Sequence, residues 1–83
     1  MDLEVLIEGV SDRRVASEIE RSVRQVCKDT ERSGEWRVMV SPSEMRGQWD
    51  LGVRGPFVSH FASFTERVEQ LPRLVAEQLR ACF

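Results

Sequence analysis

The sequence predicts a two-layer α+β domain with the element order β-α-β-β-β-α, two helices packing on one face of a mostly antiparallel four-stranded sheet. Three observations point there: four segments alternate apolar and polar side chains, two longer segments carry apolar residues at helical spacing, and glycine- or proline-bearing turns separate them. With 83 residues, 41% of them hydrophobic and 31% charged, the composition is that of one globular domain, and residues 1–83 are expected to share one small core.

Leu3, Val5 and Ile7 alternate with Glu4 and Glu8, the signature of a strand covered on one face; Leu6 is the exception. Gly9 ends that strand, and Ser11-Asp12 supplies an N-cap with an acid near the positive end of the next helix. From Asp12 to about Thr30, Val15, Ile19, Val23, Val26 and Cys27 form one apolar stripe. The outer face carries Arg13, Arg14, Glu18, Glu20, Arg21, Arg24 and Lys28, with Glu20 and Arg24 at the favourable acid-first spacing of four. This mixture of signs reads as solvated surface.

Ser33-Gly34 breaks the helical pattern, and Trp36, Val38 and Val40 alternate with Arg37 and Met39, which predicts a second strand over Glu35 to Val40. A turn-rich loop, Ser41 to Gly47, precedes a third strand from Gln48 to Arg54, where Trp49, Leu51 and Val53 share one face. Gly55-Pro56 is a turn signal, since glycine tolerates positive φ and proline fixes its own. Phe57 to Phe64, with three phenylalanines and Val58, reads as a fourth strand. The competing reading starts a helix at the Ser63-Phe64-Thr65-Glu66 capping box and leaves the phenylalanine run as a loop. Val68, Leu71, Leu74, Val75, Leu79 and Cys82 then mark a second amphipathic helix. Pro72 requires either a regular helix starting near Leu71 after a looser turn, or a longer helix bent there. A ferredoxin-like order would need a further strand after this helix, where the sequence has only Ala81-Cys82-Phe83.

Function is bounded mainly by scarcity. The chain has one histidine, two cysteines, no tyrosine and no glycine-rich phosphate loop, so the groups that usually converge in an active site are few and scattered. His60 is the natural general base, but Ser59, next to it on a strand, points to the opposite face, and no orienting partner is evident. Glu4, Glu8 and Asp50 are expected on the uncovered sheet face beside Arg37 and Arg54. Cross-strand ion pairing explains them better than a pair of catalytic acids, which needs a cleft. Cys27 and Cys82 are far apart in helical segments and read as reduced, buried thiols rather than a disulfide. With one histidine and no close ligand spacing, no metal and no cofactor are assigned.

Lys plus Arg number 12 and Asp plus Glu 14, interspersed, for a net charge of −2; this balance counts against nucleic-acid binding, which draws its affinity from clustered cations, but leaves room for a local patch. The start, Met1-Asp2-Leu3-Glu4, is no basic leader, and no apolar run is long enough to cross a bilayer, so a cytoplasmic setting is expected. Trp36 and Trp49 are in phase with the apolar faces of their strands and read as core rather than as recognition side chains.

What remains is the helix-free sheet face, where Leu6 and Met39 sit among charges of both signs, and the loop carrying Met45 and Arg46. The leading expectation is a non-catalytic protein-interaction or adaptor domain, free-standing or part of a larger assembly, that binds a protein partner or a second copy through that face or a sheet edge. Its protein-binding residues would be Leu6, Arg37, Met39, Met45, Arg46, Asp50 and Arg54. An ordinary solvated face with scattered apolars competes with it. One alternative is RNA or single-stranded nucleic acid on the sheet, using Arg37, Arg54 and a phenylalanine of the fourth strand; a second is a small-ligand or enzyme site around His60.

Overall fold

The computed structural model describes residues 2–30 and 33–83. Its elements follow the expected order: β1 (Asp2–Ile7), α1 (Arg13–Thr30), β2 (Glu35–Pro42), β3 (Gln48–Arg54), β4 (Ser59–Thr65), a 3-10 turn (Val68–Gln70) and α2 (Leu71–Cys82). The sheet order is β1-β2-β3-β4. β2, β3 and β4 form an antiparallel meander, and β1 joins it parallel to β2, with Leu3 opposite Trp36 and Ile7 opposite Val40. A parallel neighbour cannot be reached by a hairpin, so α1 is the crossover that returns the chain to the sheet.

The apolar stripe of α1 (Val15, Ile19, Val23, Val26, Cys27) and that of α2 (Leu71, Val75, Ala76, Leu79) meet Trp36, Val38, Val40, Leu51 and Val53 in one buried cluster. Leu3, Val5 and Ile7 of β1 pack against its margin. Asp12 caps α1, its Oδ1 accepting a hydrogen bond from the Arg14 backbone N–H at 2.9 Å. Trp36 is buried, donates its ring N–H to the Ser33 carbonyl at 3.0 Å, and meets the Phe83 ring edge-on at 5.0 Å. Gly55 lies against that indole so closely that a Cβ there would overlap the ring, which makes glycine a packing requirement after β3.

The uncertain stretch between β3 and α2 resolves into strand and turn. β4 covers Ser59–Thr65, and Phe57 lies before it, 100% exposed. The capping box is not used: Thr65 ends β4, and the Glu66 carboxylate accepts from the Arg67 N–H. α2 starts at Leu71 after the 3-10 turn, with Pro72 in its first turn, where a missing backbone N–H costs no helical hydrogen bond.

Candidate functional site

The register sorts the open sheet face into rows. Glu4, Arg37, Arg54 and Ser59 form one row across the four strands; Leu6, Met39, Gly52 and Phe61 form the next; Ser41, Asp50 and Ser63 form a third. In the first row Arg37 Nε lies 3.3 Å from a Glu4 carboxylate oxygen. Arg54, directly opposite Arg37, has no carboxylate within ion-pairing distance among the described residues. The second row is apolar, with Leu6 36%, Met39 39% and Phe61 68% exposed. In the third, Asp50 accepts a hydrogen bond from the Ser63 hydroxyl at 2.7 Å, so its carboxylate is engaged.

Leu6, Arg37, Met39, Asp50 and Arg54 thus share the face on which they were expected. Met45 and Arg46 are exposed in the β2–β3 loop, at the end of the hairpin away from Arg37 and Arg54, so the structure does not gather all seven into one site. Phe61 belongs with the arginine row and the hollow at Gly52. Only the strand register picks it out from the other phenylalanines: Phe64 turns to the core, and Phe57 precedes the strand.

His60 sits half-buried on β4 opposite Val53, on the helix side of the sheet. Its Nε2 is buried without a hydrogen-bond partner among the described residues, and Ser59 is exposed on the other face. The nucleophile-base geometry of covalent catalysis is not present at that pair. Burial raises both thiols above their ordinary pKa; at Cys27 the Arg24 charge opposes part of the rise.

A second surface lies on the far side of the molecule. Val15, Ile19, Val23 and Val26 face the core, and at 3.6 residues per turn the opposite pole of α1 carries Arg14, Ser17, Arg21, Arg24, Gln25 and Lys28. Arg14, Arg21 and Lys28 recur every seven residues, drifting only about 20° per step, along about 21 Å of helix. The acids fall on the flanks. Glu20 reaches Arg24 at 3.8 Å, both half exposed, and Asp29 accepts from the Gln25 side chain at 2.8 Å. Ser17, Glu20, Arg21, Arg24, Gln25 and Lys28 border one shallow depression. What reads in sequence as a mixed-sign helix is, in three dimensions, a cationic ridge with acids beside it.

No family model matches the sequence, and no curated protein matches it. Solved structures do. A ribosomal subunit interface protein from Coxiella burnetii superposes with a TM-score of 0.62 at 16% identity, over 98% of this chain and 91% of that one. The N-terminal domain of Thermus thermophilus Protein Y superposes with a TM-score of 0.55 at 10% identity, over 98% of each chain. The chain shares the fold of both.

These likenesses correct two expectations. A generic protein adaptor working through the sheet face or a sheet edge gives way because a protein of this fold is named for the ribosomal subunit interface. The expectation that nucleic acid is an improbable partner falls with it. The physical reason is that net charge averages over the surface, whereas affinity for phosphates depends on where the cations lie, and α1 segregates them.

Proposed function

We propose that this chain is a non-catalytic ribosome-binding domain that meets ribosomal RNA through the outer face of α1, in the cytoplasmic setting where ribosomes work. The observation that carries the reading is the ridge of Arg14, Arg21, Arg24 and Lys28, four cations at the pole farthest from the core with their acids displaced to the flanks. Guanidinium and ammonium groups spaced along a helix can follow a phosphate backbone, each contact releasing counterions and adding affinity without reading sequence. The shared fold with a ribosomal subunit interface protein supports the same partner.

Sedimentation of the chain through a sucrose cushion with purified ribosomes tests this. Co-sedimentation at low salt, lost as salt rises, is the expected result; a chain that stays in the supernatant at low salt contradicts it.

A further inference from the structure

We propose that the open sheet face holds one unpaired nucleotide of RNA, its base over Gly52 against the Phe61 ring and its phosphate on Arg54. This rests on the ribosome-binding reading for its partner class and adds a second, separate contact on the opposite side of the molecule from α1.

The first observation is electrostatic. Arg37 and Arg54 stand directly opposite across β2 and β3, an arrangement that disfavours the sheet unless something neutralises it. Glu4 engages Arg37 at 3.3 Å, while Arg54 keeps an uncompensated guanidinium among the described residues. An anion on Arg54 completes the row.

The second is a missing side chain. Gly52 lies in the middle of β3, where glycine weakens a strand and packs nothing. Its φ lies outside the positive range reserved for glycine, and an added Cβ would meet only the Met39 Cβ, at 4.0 Å. Neither backbone conformation nor steric crowding therefore demands glycine there. Its effect is a hollow of about 340 Å³ edged by Arg37, Met39, Arg54, Ser59 and Phe61, at the small end of the range for ligand clefts.

The third is Phe61, 68% exposed on that wall and unused by the core. An aromatic ring beside an arginine on an open sheet suits an unstacked base, because stacking tolerates any base and the guanidinium takes the phosphate. β4 is an edge strand, so the hollow is open on one side to an entering strand. Of the acids on this face, Asp2 and Glu4 lie on β1 and Glu35 on β2, away from the β4 edge, while Asp50 on β3 accepts the Ser63 hydroxyl hydrogen bond.

Fluorescence anisotropy with a labelled oligo(A) RNA octamer tests the site, with ribosome co-sedimentation run in parallel. The wild type binds the octamer. Phe61→Ala weakens binding about tenfold or more, the loss of one stacked base. Gly52→Val fills the hollow and weakens binding similarly, while its thermal midpoint stays at or above that of the wild type, since a β-branched residue suits a strand. Octamer affinity unchanged in both variants overturns the site. A wild type that pellets with ribosomes but ignores the octamer overturns the site and leaves the ribosome reading standing. A chain that binds the octamer through Phe61 but does not pellet removes the ribosome reading and keeps the site.

Discussion

Reversing two charges on α1, Arg21→Glu together with Lys28→Glu, is expected to flatten the salt dependence of ribosome binding. The ridge offers four cations, Arg14, Arg21, Arg24 and Lys28. If each neutralises one phosphate, the slope of log affinity against log salt is about −2.8 to −3.6, a fall of about 50- to 150-fold between 50 and 200 mM salt. Two remaining cations halve the slope, to about −1.4 to −1.8, so the variant loses only about 7- to 12-fold over the same range. Its affinity at 50 mM is already lower, because the new carboxylates repel the phosphates. Both side chains are exposed, so the core is untouched. Lys28 lies in the last turn of α1, where a cation favours the helix dipole, and its reversal costs about 0.3–1 kcal/mol of stability. Quantitative co-sedimentation across a salt series reads the slopes, and thermal unfolding monitored by circular dichroism checks the fold. Equal slopes for the two proteins, or a wild-type slope near zero, would refute the assignment of α1 as the phosphate-contacting face.

Other outcomes follow from the same geometry. Glu20→Gln removes the carboxylate 3.8 Å from Arg24 and is expected to tighten ribosome binding and steepen its salt slope, by less than one added phosphate contact, in the same assay. Gly55→Ala drives a methyl group into the Trp36 ring and should cost about 1–3 kcal/mol in urea unfolding. Leu79→Ala, at a fully buried position of α2, should cost about 2–5 kcal/mol, with fluorescence and circular dichroism tracing one coincident transition if residues 1–83 fold as one unit. Because burial raises both thiol pKa values, the unfolded chain releases these protons first as pH rises, so stability should fall above about pH 8.5 and hold below it. Double substitution to alanine should remove that alkaline loss, as read by unfolding at pH 7 and pH 9.5.

Much of the architecture was legible because the burial pattern is written in periodicity. β3 spans the residues whose alternation marks it, Gln48 to Arg54, and the α1 stripe is the same five residues in sequence and structure. The start of α2 required a choice that Pro72 alone does not make; the 3-10 turn at Val68–Gln70 lets proline fall in the first turn. Phe57 misleads because phenylalanine is rare on a fully exposed turn, and it stands just outside β4. The surfaces were harder to read. Arg37 and Arg54 could be placed on one face by alternation, but their direct opposition, the vacancy at Gly52 and the nearness of Phe61 depend on cross-strand register. Along α1, acids and bases alternate in the linear order while the helical turn sets them apart, so a balanced composition conceals a ridge of one sign.

The most direct test of RNA contact by α1 places a photo-reactive amino acid at Ser17, which is exposed between the cations on the outer face of the helix and whose replacement removes none of them. Irradiation of the ribosome-bound chain should produce cross-links to ribosomal RNA. Cross-links confined to ribosomal proteins, or their absence while the chain remains bound, would contradict the account.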